Sequence, residues 1–174
     1  MRFRKIVPAV ILGMIFCMSA CKIWAGQRFI DNGDGTVTDT KLGLMWSQTD
    51  NQGDIDWKSA QRWAKYTFPL LVPSEKREGW RLPTLAELQS LYVRNKTFKG
   101  YETECGLRVK ISPPIRITCG WVWSSERRSI TARVYNFQRG YAYTDRMVHK
   151  RGFRALAVRP IKLGSPHPQT DFGH

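Results

Sequence analysis

With 174 residues, a hydrophobic share of 42% and an aromatic share of 12%, the chain is too rich in core-forming side chains to be disordered and too short for two full domains. Lys and Arg number 28 against 14 Asp and Glu, a formal charge of +14, with a pI near 10.1. Such a balance implies attraction to something anionic: nucleic acid, a sulfated or phosphorylated glycan, or an acidic membrane surface.

The N-terminus narrows that set. Arg2, Arg4 and Lys5 precede an apolar run from Ile6 to Met18, and small residues follow. This is the layout of a secretory signal, and the run is too short to span a membrane comfortably. Residues 1–25 are therefore expected to be a leader, and nucleic acid falls away as a partner. "MSAC" resembles a bacterial lipobox with Cys21 as the acylated first residue of the mature chain, although Met18 stands where Leu is usual. The alternative is ordinary cleavage after Ala25. Either route gives an exported protein of the periplasm, outer membrane or cell surface, and leaves Cys17 outside the mature fold. A lipid on Cys21 would tie the protein to a membrane.

A domain is expected over residues 26–162. In "QRFIDNGDGTVTDTKLGLMW", Phe29 and Ile30 precede a turn-rich centre and Thr36 to Thr38 alternate as a strand does, with Asp34-Gly35 suited to a tight hairpin. A calcium loop beginning at Asp31 would need ligands at Gly33 and Gly35 and glycine at Thr36, so the stretch reads as a turn. "DIDWKSAQRWAKYTF" carries Trp57, Ala60, Ala64 and Phe68 at helical spacing, with Asp56 able to cap and Pro69 expected to stop it. "LVPSEKREGW" is a polar loop. In "GWRLPTLAELQSL", Thr84 and Glu87 form a capping-box pattern, and Leu85, Leu88 and Leu91 or Tyr92 form a buried stripe. Arg81 is needed by no cap.

Cys105 and Cys119 are the only cysteines of this domain. In an oxidising compartment an isolated pair without CxxC spacing is expected to be a disulfide, contributing on the order of 3 kcal/mol. It would tether a basic loop, "GLRVKISPPIRIT". Beyond it the pattern shifts to period two: "GWVWSSE", "ITARVYNF", "GYAYTD" and "FRALAVRP" read as strands of an antiparallel sheet. Two helices followed by a sheet, with an N-terminal hairpin, give an α+β class. Residues 163–174 read as a disordered tail.

Signatures of chemistry are sparse. The histidines are His149, His167 and His174, two of them in the tail, and they make no plausible metal cage with the cysteines. "WSSE" has no histidine placed to act as its base, and nucleotide-binding motifs do not occur. No metal, cofactor or catalytic group is expected. Between Gly120 and Lys162, by contrast, ten Lys and Arg face only Glu126 and Asp145. Arg127, Arg128, Arg133, Arg139, Arg146, Lys150 and Arg151 are the candidate anion-binding residues, because the guanidinium fork suits sulfate, phosphate and carboxylate. Tyr135, Tyr141 and Tyr143 are interleaved and are the candidate faces for stacking a sugar.

The ordered set "FIDNGDGTVTDTKLGLMW", "WKSAQRWA", "GWRLPTLAELQSL", "WSSE", "VYNFQRG" and "ALAVRP" resembles the Lcl C-terminal domain family, over about Gln27 to Ile161. That resemblance implies a C-type-lectin-like α+β fold and secretion or surface attachment in bacteria. It also implies a role like that of the collagen-like adhesin that names the family, which binds sulfated glycosaminoglycans and is trimeric. An exported, non-catalytic module that binds anionic glycan is thus the expected function, with adhesion and homo-oligomerisation as what the resemblance adds. "GWRLPT" is also similar to a segment of formylglycine-generating and sulfatase-modifying proteins, but Leu88 stands where those have Trp. Two other readings stay open: an enzyme or accessory of that type, and a structural envelope lipoprotein touching anionic lipid.

Overall fold

The computed structural model describes residues 27–161. The leader, Cys17, Cys21 and the tail lie outside the described residues.

The fold is α+β, and its strands divide between two four-stranded sheets and a two-stranded ribbon instead of one antiparallel sheet. The first sheet holds β1 (Phe29–Asp31), β2 (Thr36–Asp39) and β3 (Leu44–Ser47), joined by β10 (Val158–Pro160) from the far end of the chain. β1 pairs antiparallel with β2 through Phe29–Asp39 and Asp31–Val37. In the turn between them Asp31 accepts from the Gly33 N–H at 2.9 Å and from Gln48 at 2.6 Å, while Asp34 takes Lys76 and Thr36. Those carboxylates are engaged in holding the turn.

The second sheet holds β6 (Trp121–Arg128), β7 (Thr131–Asn136) and β8 (Tyr141–Arg146), with β9 (Phe153–Arg154) parallel to β6. "FRALAVRP" is thus two strands, not one. Ala155–Ala157, all fully buried, carry the chain from one sheet to the other. A single strand could not pair with both.

The second sheet is covered on both faces. Val122 pairs with Tyr135 and Trp123 with Val134, so alternation sends one pair to each side. Val122 and Tyr135 pack with Leu85, Leu88 and Leu91 of α2 (Leu85–Leu91). Trp123 and Val134 pack with Trp57, Ala60 and Ala64 on the other side. Trp57 and Ala60 belong to α1 (Trp57–Arg62), which starts at Asp56, whose carboxylate accepts from the Ser59 N–H at 2.9 Å.

Pro69 does not end the helical path outright. The helix widens to a π-turn over Trp63–Thr67, closed by the Phe68 N–H on the Trp63 carbonyl, then tightens to a 3-10 turn over Phe68–Leu71 that contains Pro69. Proline in a continuing α-helix would lose one bond and collide with the preceding turn, and the change of pitch avoids both.

The Cys105–Cys119 disulfide forms, with Cα atoms 5.4 Å apart. The segment it closes is more than a tethered basic loop. It holds β5 (Arg108–Val109), paired with β4 (Tyr101–Glu102), and drives Val109, Ile111, Ile115 and Ile117 into the core at 2% exposure or less. Its isoleucines alternate with Lys110, Arg116 and Thr118, so charge masks an apolar half. Beneath it Asp50 accepts from the Thr118 N–H at 2.6 Å, and Arg154 bridges Thr118 Oγ1 at 2.7 Å and Asp54 at 2.7 Å.

Candidate functional site

The stretch "GWRLPT" stitches the two sheets together. The Arg81 N–H and C=O exchange bonds of 3.0 and 2.9 Å with Val158 of β10, and the Pro83 carbonyl accepts from Ser125 of β6 at 2.7 Å. Gly79 turns into it with φ of 81°, a conformation that side chains disfavour. Trp80, 3% exposed, donates its indole N–H to the Lys76 carbonyl at 2.6 Å and meets Phe68 edge-on at 4.7 Å.

The capping box forms. Thr84 Oγ1 accepts from the Glu87 N–H at 3.2 Å, and Glu87 Oε2 accepts from the Thr84 N–H at 2.7 Å. Arg81 joins it through a two-point pair with Glu87 at 2.7 and 2.8 Å, and Glu126 accepts from the Leu85 N–H at 3.0 Å. Burial pushes the Glu87 carboxyl up, but the Arg81 guanidinium and the Thr84 N–H outweigh it and hold Glu87 below its ordinary value; Glu87 in turn raises Arg81. Arg81 therefore has a carboxylate partner, while 41% of its side chain stays open to solvent.

That open side borders a cleft of about 440 Å³ between this stretch and the first helix. Lys58, Arg62 and Lys65 line the facing wall with Gln61 and Tyr66; Trp80, Leu82 and Ser125 complete it. No carboxylate among the described residues lines it. Among the described residues Lys58, Arg62 and Lys65 make no salt bridge; Arg62 donates to Ser59 Oγ at 3.1 Å, and Lys65 sits 5.0 Å from the Tyr66 ring. These helix residues are absent from the set read from the sequence. The signal was present: Lys58, Gln61, Arg62 and Lys65 stand at i, i+3, i+4 and i+7, a polar face flanking the Trp57 stripe.

The seven residues read from the sequence do not gather in one place. Arg127, Arg128 and Arg133 share a second groove of about 430 Å³ with Glu126, Thr131 and Thr144. Arg146 joins their end of the sheet, since Thr131 pairs with Arg128 on one side and Arg146 on the other. Arg133 Nε is buried there without a hydrogen-bond partner. Arg139 lies at the other end of α2, in the β7–β8 turn, where Gly140 at φ 75° approaches Tyr92 so closely that an added Cβ would sit 2.4 Å from the ring. Arg151 lines a separate depression beside the disulfide and Trp121, at the opposite end of β6 from Arg127, and Lys150 precedes it in an exposed loop. Arg154 and Arg159, also counted in the basic segment, are both 7% exposed.

The tyrosines separate in the same way. Tyr135 does share a face with Arg133, but that face passes under α2, leaving Tyr135 1% exposed with its ring against Tyr92 and Phe137. Burial pushes its hydroxyl up to about 12. Tyr135 is therefore a core residue and leaves the sugar-stacking set. Tyr143 is half-buried, its hydroxyl also raised by burial, while Tyr141 is 46% exposed and 6.0 Å from Tyr143 between ring centres.

Cleft and groove are neighbours at the start of the first helix, where Arg127 lies 6.0 Å from the ring of Trp57, the residue before Lys58. The cleft brings four cations and the groove three. Among the described residues the one acid lining either is Glu126, already engaged with the start of α2. Such a track can pair with several anionic groups spaced along one ligand. Cys105 and Cys119 are bonded to each other, so neither is a free thiolate. Among the described residues no group of three His, Cys, Asp or Glu is placed to hold a metal ion, and no helix is long and apolar enough to cross a membrane.

Compared with known families, residues 35–161 match the model of the Lcl C-terminal domain. No curated protein matches the chain.

Proposed function

This chain belongs to the Lcl C-terminal domain family, and we propose that it is a non-catalytic binding module for an anionic polymer, a sulfated or phosphorylated glycan, presented at the bacterial surface for adhesion. The lectin-like character of the scaffold, export and a lipid on Cys21 belong to the same proposal. One observation carries it: the neighbouring basic cleft and groove, a track of Lys65, Arg62, Lys58 and Arg81 in the one and Arg127, Arg128 and Arg133 in the other, whose one lining carboxylate among the described residues is already occupied. Arginines supply two-point contacts to sulfate or phosphate and lysines add charge. Fold alone would not support a function; the track does.

The test is retention on immobilised heparin in a salt gradient. Lys58→Glu, Arg62→Glu and Lys65→Glu together abolish retention while circular dichroism stays unchanged. Arg139→Glu, Lys150→Glu and Arg151→Glu remove the same charge away from the track and reduce retention far less. Retention should fall with salt as the screening length shortens to about 8 Å near physiological ionic strength. Equal losses from the two triple variants would mean that net charge, not the track, governs binding.

A further inference from the structure

Just beyond the cleft the chain exposes two aliphatic side chains in succession. Leu70 is 67% exposed and Leu71 71%, and Tyr66 before them is 59% exposed. This exposure is enforced by packing. Phe68 and Val72, on either side, are 4% and 3% exposed, and Phe68 is wedged between Trp63 at 5.5 Å and Trp80 at 4.7 Å. The 3-10 turn is pinned from beneath and cannot fold its leucines inward. Cations flank the pair. Lys65 lies over Tyr66, and Arg77 donates to the Val72 carbonyl at 3.3 Å with its residue exposed. Arg62 and Lys58 continue the basic strip along the first helix.

We propose that this turn is a membrane-contact element: Leu70 and Leu71 enter the acyl boundary of an anionic phospholipid surface while Lys65, Arg77 and the helix cations lie among the headgroup phosphates. Aliphatic tips, an amphipathic tyrosine and a collar of cations on the helix side are what such an interface selects, with Glu75 the exposed acid of the following turn. The collar disfavours a second copy of the chain, whose own cations would face it across the contact. A soluble polyanion would satisfy the cations and leave both leucines in water. The contact shares Lys58, Arg62 and Lys65 with the glycan track and adds the two leucines, which that track does not use.

Depth measured by fluorescence tests the proposal. In the full chain carrying Cys17→Ser and Cys21→Ser, with Cys105 and Cys119 left bonded, an environment-sensitive label is placed through Leu71→Cys or, as a control, through Ile130→Cys, another exposed apolar position (66%). The probe surface is phosphatidylcholine vesicles containing a minority of phosphatidylglycerol, with a quencher on the lipid chains. The label at position 71 should shift to the blue and be quenched, while the label at 130 stays in water. Both effects should be lost on pure phosphatidylcholine. Leu70→Ser with Leu71→Ser should keep heparin retention unchanged, separating this contact from the glycan reading. An unquenched label at 71 on vesicle-bound protein overturns the proposal. So does a blue shift at 71 without vesicles that appears with dimerisation, or one that heparin alone produces.

Discussion

Replacing Glu87 with Gln removes one charge from the point where helix start, cleft and inter-sheet stitch meet. The carboxylate accepts from Arg81 at 2.7 and 2.8 Å and from the Thr84 N–H at 2.7 Å. Only 15% of its side chain is exposed, but that of Arg81 is 41% exposed, so solvent screens the pair. The ion pair is then worth about 1 kcal/mol. Exchanging a charged for a neutral acceptor at the cap costs about another 0.5–1 kcal/mol. Glu87→Gln should therefore destabilise the domain by about 1.5–2 kcal/mol, close to 1 M in urea midpoint for a slope near 2 kcal/mol/M.

The pH dependence has a definite sign. The folded carboxyl titrates below its ordinary value of 4.5, so its contribution is complete above 4.5 and is lost as pH falls through the folded pKa. The gap between wild type and Glu87→Gln should be constant from neutrality down to that value and close below it. Urea titrations with the disulfide intact, at neutral and acidic pH, read both quantities. A variant as stable as wild type at neutral pH, or a gap that survives full protonation, would refute the assigned role of Glu87.

Three further outcomes follow from the same geometry. Labelling of free thiols in the unfolded, unreduced domain should find neither Cys105 nor Cys119, and reduction should cost about 3 kcal/mol. Trp80→Ala should cost roughly 3–5 kcal/mol, since the ring is buried against Phe68. Tyr135→Ala should likewise destabilise by roughly 3–5 kcal/mol, whereas Tyr141→Ala, at a position 46% exposed, should leave the urea midpoint unchanged. A reversed order for the two tyrosines would mean that Tyr135 is not packed beneath α2.

Local chemistry was legible in the sequence. Asp56 and Thr84 with Glu87 announced both helix starts, because a cap is made by residues three apart whatever lies around them. The α+β class, the cysteine pairing and the residues that carry the family resemblance were readable for the same reason: each rests on spacing along the chain or on a count. What depends on which element covers which face was not readable. Alternation put Arg133 and Tyr135 on one side of β7, but only the packing of α2 decided that Tyr135 is core and Arg133 lines a groove. Nothing local divides "FRALAVRP" between two sheets, since each half finds its partner, Trp121–Val122 or Leu44–Trp46, far away in sequence. The basic cleft was missed on the same ground. Lys58, Arg62 and Lys65 look like any solvated helix face until Arg81, sixteen residues and more away, is brought opposite them by its two backbone bonds to Val158. Charge can be counted in a sequence, but whether charges converge is decided by long-range pairing, and that exists only in the folded chain.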